Sequence, residues 1–361
     1  IGTVTGFAIT LGIGVILSMF TAIVITKFLL RNLVNIGINV TIVEYAAQVL
    51  SPVDMEIASF VHARLRKAGI NLILNDQITS IEDEGSDLLI RLQSGAAISA
   101  DMAALTIGVI PETSLARDAG LELGLKGSII VDEHMRTSCP DIYAVGDAVQ
   151  VKNFVSGADA VISLAGPANR QARIAADNIC ALDSTYPGSL GTSVIKIFDM
   201  TLAFTGLNEK ACRESGINYD KIFLSPANHA GYYPGGKAMT MKIIFDPASD
   251  RLLGAQIIGY EGVDKSIDVI ATAVSAGIPA SKLKDLDLAY APPYSSAKSP
   301  VNMAGFMIEN LEKGLIKQYY YEDLDSLPRD GSVSLIDVRT PREYNAGHLD
   351  GFVNIPVDEI R

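Results

Sequence analysis

Residues 1–26, IGTVTGFAITLGIGVILSMFTAIVIT, contain no ionisable side chain. Such a run exceeds the roughly 20 apolar residues a helix needs to cross a bilayer core. Lys27 and Arg31 follow at once, the flank that faces the cytoplasm under the positive-inside rule. Gly2 and Gly6 have the spacing of a small-residue contact between membrane helices. Positive charge after the run, not before it, argues against a cleaved signal peptide. The expectation is a transmembrane-like helix over residues 1–34, attached to a membrane through residues 1–26, with a buried core helix as the alternative.

Nothing after that segment reads as a membrane protein. The 361 residues are 48% hydrophobic and 19% charged, which excludes a mostly disordered chain and suits two or three compact domains. With 41 acids against 29 Lys and Arg, the net charge is -12. No basic cluster is available to neutralise a phosphate backbone, so no nucleic-acid partner is expected. Cys139, Cys180 and Cys212 form no CxxC pair, which excludes a disulfide scaffold or Cys-based zinc site and favours a reducing compartment. No metal is expected, and buried, unreactive thiols are the default for all three.

From residue 35 the pattern is that of an α/β nucleotide-binding protein. Ile38 to Val43 form a β-branched run ending at Glu44. Ser51, Pro52 and Asp54 then offer a cap, a first helical position and a capping box. Ile57, Val61 and Leu65 give an apolar stripe before Gly69. Strands are expected at residues 71–74, 88–92 and 102–107, as the second half of a doubly wound domain. An acid at the end of such a strand, here Glu44, can bind an adenosine ribose and favours NADH over NADPH; its bland alternative is a solvent-facing carboxylate. The glycine-rich turn that should precede it is not found: Gly12-Ile13-Gly14 lies too far upstream, with Leu17 at the third glycine's position.

The most specific soluble motif is Thr137-Ser138-Cys139-Pro140-Asp141-Ile142-Tyr143-Ala144-Val145-Gly146-Asp147. It reads as a strand delivering Asp147 to a sheet edge, where the carboxylate can accept from a polyol hydroxyl, with Gly146 permitting close backbone approach. Ser163-Leu164-Ala165-Gly166-Pro167 reads as a helix start, running to about Cys180, whose positive end suits an electron-rich ring. Further on, residues 241–245 and 252–258 flank a turn cluster, and 263–276 has a helical pattern. Tyr232, Tyr233, Tyr290 and Tyr294 lie on Pro/Gly loops, and His229 reads as a loop histidine.

These stretches, with GINVTIVE, Gly108-Val109-Ile110-Pro111-Glu112, LAGPANRQARIAADNI, GYYPGG, LLGAQIIGYEGVDKSIDVIATA and YAPPYSSAKSPVNMAG, resemble the FAD-dependent pyridine nucleotide-disulfide oxidoreductases, in particular the coenzyme A-disulfide reductase branch with a rhodanese tail. The resemblance implies an α/β fold: partial doubly wound, Rossmann-like NAD-binding (35–110) and FAD-binding (111–189) domains, then an α+β dimerisation domain (190–312). It implies FAD held by Gly146, Asp147, Leu164 and Ala165, and NAD(P)H, NADH favoured, at Glu44 and Gly108. It further implies a cytoplasmic homodimer acting on a low-molecular-weight disulfide or persulfide. In this branch tyrosines assist across the dimer; Tyr232 and Tyr290 are the favoured pair, with interface packing as the alternative.

Leu335 to Arg339 and the following DVRTPREYNAGHLDG resemble the first half of a rhodanese domain, truncated over 318–361, with Asp337, Arg339 and His348 as scaffold. Residues 1–34 resemble the last membrane helix of the protein-export subunit SecD. The break near Leu33–Ile38 therefore reads as a chimera. The redox cysteine and both glycine-rich turns of the reductases are not found, so this chain by itself is expected not to be a competent reductase. An export-subunit fragment and a non-catalytic dimerising module are the alternative functions.

Overall fold

A computed structural model describes residues 39–360. The expected transmembrane-like helix over 1–34 lies outside the described residues. Among the described residues no helix is long and apolar enough to cross a membrane. The chain divides into two compact units, Ile1–Glu312 and Lys313–Arg361.

The described part of the first unit opens with a β-α-β crossover. Strands β1 (Thr41–Glu44) and β2 (Asn71–Leu74) are parallel, with Thr41 opposite Asn71 and Glu44 opposite Leu74. Helix α1 (Met55–Lys67) makes the return that a parallel pair requires. Its buried stripe is Ile57, Ala58, Val61 and Leu65, and Arg64, Arg66 and Lys67 occupy the last turn, where cations favour the helix dipole. The residue at the cap position is Asp54, not Ser51, and its side chain makes no capping bond. The Asp54 carboxylate does not close the expected capping box, because Gln256 Nε2 at 2.6 Å and Lys242 Nζ at 2.8 Å occupy it.

Strands β3 (Ile78–Asp83), β4 (Leu88–Leu92) and β5 (Ala97–Ala100) form an antiparallel meander. Residues 88–92 are thus a strand, but not one of the parallel set. Residues 102–107 depart from the expectation further: they pair with nothing described, leaving Met102, Leu105 and Ile107 exposed. Without a neighbouring strand, an apolar run has no ladder to join. Next come α2 (Ser114–Asp118), β6 (Ile129–Ile130), β7 (Val149–Lys152), β8 (Asp159–Ala160) and α3 (Ala165–Ile179). The three strands make one small sheet in the order β6-β7-β8.

The largest core surrounds a five-stranded antiparallel sheet, ordered β11-β12-β13-β10-β9. Its elements are β9 (Ser193–Ile197), β10 (Met200–Gly206), α4 (Glu209–Glu214), β11 (Asp220–Leu224), β12 (Thr240–Asp246), β13 (Arg251–Gly259), α5 (Val263–Ser275) and α6 (Pro300–Glu312). Asp246 Oδ1 accepts Ala248 N–H at 3.0 Å and starts the β12–β13 turn. Strand alternation separates the faces. Ala203, Ala255 and Ile257 pack towards Val263, Ile267 and Ile270 of α5 and Val301, Ala304 and Ile308 of α6. Leu202, Met200 and Ile258 instead meet Val53, Ile57 and Val61 at α1. The nucleotide-type helix therefore covers the second face of this sheet.

Gly206 and Gly254 pair across β10 and β13. A Cβ on Gly254 would lie 2.1 Å from Leu207 O and 2.7 Å from Leu207 N, backbone atoms that cannot yield. Gly254→Ala is expected to destabilise the fold by about 1–3 kcal/mol, read as a lower urea midpoint; an unchanged midpoint would show that β13 can shift.

In the second unit β14 (Ile336–Asp337) runs parallel to β15 (Val353–Asn354), with α7 (Pro341–Ala346) between them. Thr340 and Glu343 close a reciprocal capping box and Pro341 opens the helix. Arg339 grips Asp337 through Nε at 3.0 Å and Nη2 at 2.6 Å, and Nη2 also reaches Gly347 O at 2.8 Å. That guanidinium holds the Asp337 carboxyl below the usual carboxylate range. Tyr344 and His348 stack at 3.8 Å.

Candidate active site

Glu44 stands at the carboxyl end of β1, half-buried. Its Oε1 accepts Ala46 N–H at 2.9 Å, while Oε2 is bonded to no described residue. The backbone beside it is pinned to the end of β2, with Asn75 N donating to Ala46 O at 3.0 Å and Asp76 N to Glu44 O at 3.2 Å. One carboxylate oxygen thus orients the side chain and the other is left to accept from a ligand hydroxyl. Gly108 is exposed, with φ +96°, in the unpaired stretch after residue 101.

The Gly146–Asp147 motif is a turn, not a strand end. Val145 is extended, but the approach has only the isolated Arg136–Tyr143 bridge, and Gly146–Ala148 form a 3-10 turn. Gly146 has φ +88°, and a Cβ there would meet nothing within 4 Å, so the space in front of it is open. Its N–H donates to Gln171 Oε1 at 2.7 Å. Gln171 is buried on α3, so this bond fixes the turn to that helix. The Asp147 side chain is exposed and has no hydrogen bond to a described residue.

Helix α3 begins after Leu164 with no side-chain cap and no acid in its first turn, and Ala165 and Gly166 are exposed. The first N–H groups of a helix need partners, and their partial positive charge attracts electron-rich groups. An open glycine turn, an unbonded carboxylate and an uncapped helix start on one helix–turn unit together fit a polyol-bearing, electron-rich cofactor.

Tyr232 and Tyr290 are brought together from loops 58 residues apart, with hydroxyls 2.8 Å apart. Asn228 N donates to Lys237 O at 2.9 Å, and Lys237 N to Asn228 Oδ1 at 2.8 Å, closing the first loop. Ala230 N donates to Ser295 O at 3.0 Å, tying that loop to the second. Both phenols are exposed, and the bond from Tyr232 raises the pKa of Tyr290. With one O–H spent on the bond between them, the pair has a second O–H to offer an incoming group. Tyr233 and Tyr294 are not part of it; Tyr233 meets His229 edge-on at 5.6 Å. His229 is buried, with Nδ1 3.1 Å from Ala230 O. Glu44, Gly108, the Gly146–Asp147 turn and the tyrosine pair share no hydrogen bond with one another among the described residues.

The cysteine expectation is corrected. Only Cys212 is buried; Cys139 is half-buried and Cys180 exposed at the end of α3. Burial, and then the nearby Asp54 and Glu209 charges, push the Cys212 thiol up to about 11, so it is inert as a nucleophile.

A polar cluster that the sequence pattern did not reveal lies between α1 and the sheet. Lys242 is fully buried on β12; its Nζ contacts Asp54, Glu56 at 3.2 Å and Glu209, and lies over the Phe223 ring. Lys221 Nζ is 2.8 Å from Glu209 Oε1, and Tyr219 donates to Glu209 Oε2 at 2.9 Å. Burial pushes the Glu209 carboxyl up, but the bonds from Lys221 and Lys242 more than reverse this and hold it at about 2. The only legible signal was a lysine inside an otherwise apolar strand.

Comparison with known proteins gives a family signature described as pyridine nucleotide-disulphide oxidoreductase over residues 13–172, and the dimerisation domain of the same family over 192–300. The chain belongs to the pyridine nucleotide-disulphide oxidoreductases. A rhodanese-like domain signature matches residues 321–361 of the chain. The first signature runs from residue 13 across the expected join at Leu33–Ile38, which leaves the reading of a chimera with SecD unsupported. The chain is 33% identical over 267 residues to the NAD(P)H sulfur oxidoreductase (CoA-dependent) of Pyrococcus furiosus, covering 73% of this chain and 60% of that protein. It is 31% identical over 283 residues to the coenzyme A disulfide reductase of Staphylococcus haemolyticus, covering 78% and 63%. The structure of reduced Bacillus anthracis CoADR-RHD superposes with a TM-score of 0.85 at 47% identity, covering 91% of this chain and 59% of that one. The chain thus spans about three-fifths of the length of the relatives it matches.

Proposed function

We propose that the whole protein is an FAD-dependent NAD(P)H oxidoreductase that reduces coenzyme A disulfide or a related low-molecular-weight disulfide or persulfide, working as a homodimer. The observation that carries this is the Asp147 carboxylate, exposed and unbonded on a turn locked to the uncapped start of α3. Asp147 would accept from the ribityl hydroxyls of FAD, Gly146 would let them approach, and Leu164 and Ala165 would lie against the ring. Glu44 Oε2 would accept from the adenosine ribose of NADH, a contact that a 2′-phosphate would oppose by charge. Gly108 would lie at the nicotinamide side. When bound, the flavin supplies two-electron chemistry between a nicotinamide and a disulfide. The names of the relatives support this substrate class, and the rhodanese-like unit supports its extension to persulfides.

In this reading the Tyr232–Tyr290 pair serves the disulfide half of the reaction by donating a proton or hydrogen bond to a departing thiolate. Tyr232→Phe and Tyr290→Phe are each expected to lower disulfide-dependent NADH oxidation about a hundredfold, within the range for a positioned acid. Electron transfer to a small dye should be unaffected. The test is a steady-state assay of the full-length protein with both acceptors. Equal loss with disulfide and dye, or no loss with either, refutes the role of the pair. No NADH oxidation with any disulfide or persulfide refutes the proposed function.

A further inference from the structure

We infer that His62 is a positioning residue for the nucleotide-binding end of β1, acting through Val49 on the loop that begins at Glu44. The inference rests on the reading of Glu44 as the ribose acceptor.

The chain between β1 and α1 follows β2 only as far as Ala46 and Asn75. Beyond that point residues 47–50 run without a strand partner. Two side chains hold them. Gln48 Nε2 donates to Val53 O at 2.8 Å, and His62 Nε2 accepts Val49 N–H at 3.2 Å. Between these two ties and α1, Leu50 has φ +61°, a left-handed backbone that a bulky side chain disfavours. Such a conformation persists where the surroundings impose it. The loop therefore has a shape set by specific bonds, and that shape fixes the direction in which the chain leaves Glu44.

His62 is 6% exposed on α1, among the stripe that packs on the sheet. To accept Val49 N–H, its ring must be neutral with the proton on Nδ1. Burial, followed by the charge of Arg66 one turn further on, lowers its pKa and keeps it in that form at neutral pH. Packing alone does not call for an imidazole here: Ile57, Ala58, Val61 and Leu65 fill the same stripe with apolar groups, and a buried polar ring carries a desolvation cost that only its hydrogen bond offsets. The bond it makes is to the loop, not to the helix or the sheet.

The experiment compares His62→Leu and His62→Gln in the full-length protein. Leu fills similar space without an acceptor, and Gln places an amide oxygen at similar reach. The readouts are NADH dissociation constants by calorimetry, Val49 amide exchange, and flavin content as a control on folding. For His62→Leu, Val49 exchange should accelerate and NADH binding should weaken, each about tenfold for the loss of one hydrogen bond, with flavin content unchanged. His62→Gln should restore both. Unchanged Val49 protection in His62→Leu overturns the inference, as does faster exchange with NADH binding unaltered. Should neither variant fold, wild-type Val49 is expected to exchange only with global unfolding, and exchange as fast as an exposed loop amide overturns the inference. Failure of the ribose assignment looks different: Glu44→Ala then binds NADH as tightly as the wild type, which removes the role given to His62 as well.

Discussion

Lys242→Met lowers the stability of the first unit by about 3–5 kcal/mol, the range for removing one partner from a buried ionic group. The cause is what stays behind. Lys242 has no exposed surface, and its ammonium lies within ion-pair distance of Asp54, Glu56 and Glu209. With methionine there, the carboxylates at the start of α1 and α4 lose their shared cation, and the buried Asp54 is left with none in contact among the described residues. Adding Asp54→Asn to Lys242→Met should recover part of the loss, because Asp54 has no other described cation in ion-pair contact, whereas Glu209 keeps Lys221. The acid limb gives a second check. Glu209 has a folded pKa of about 2, below its ordinary 4.5. Its contribution is fully present above 4.5 and is lost as pH falls from 4.5 towards 2. Removing Lys242 brings that pKa back up and flattens this part of the stability curve. Urea unfolding of both variants at about pH 7 and about pH 3, on either side of the ordinary carboxylate range, measures both effects. A midpoint for Lys242→Met within error of the wild type near neutrality contradicts a structural role for the cluster.

Asp147→Ala loses FAD while keeping its fold. If the carboxylate accepts hydrogen bonds from ribityl hydroxyls, a charged acceptor of this kind contributes about 1.5–3 kcal/mol. The expected weakening is therefore about ten- to a hundredfold in FAD affinity. The exposed side chain bonds to no described residue, so its removal should leave the unfolding midpoint where it was. That pairing separates a ligand contact from a structural one. Flavin retained per protein after dialysis, measured beside thermal unfolding, decides it. Full flavin retention by Asp147→Ala would place the cofactor elsewhere, and a large drop in midpoint would make Asp147 a folding residue.

Local pattern was legible where local bonds decide it. Residues 71–74 and 88–92 read as strands and are strands, and the turn cluster at 246–250 joins a hairpin. Residues 102–107 carry a similar apolar signal and pair with nothing described, because a strand also needs a neighbour and the pattern cannot supply one. The start of α1 shows the opposite limit. Ser51-Pro52-Val53-Asp54 has the residues of a capping box, but the Asp54 carboxylate is taken by Gln256, 202 residues away. Lys242 inside Met-Lys-Ile-Ile-Phe gave no sign of its role, since its partners come from α1 and α4. The tyrosines were visible as loop aromatics, yet the 2.8 Å contact of Tyr232 with Tyr290 depends on two loops tied through Ala230 and Ser295.

In the proposed enzyme the Glu44 end of β1 and the Asp147 turn serve one reaction, passing reducing equivalents from a nicotinamide to a flavin and on to a disulfide. Anaerobic titration of the full-length, flavin-bearing protein with NADH and then with NADPH tests this most directly. We expect bleaching of the visible flavin band by NADH, at lower concentration than by NADPH, and recovery of the band on adding coenzyme A disulfide or a persulfide. A band that dithionite bleaches but neither nicotinamide touches would contradict it.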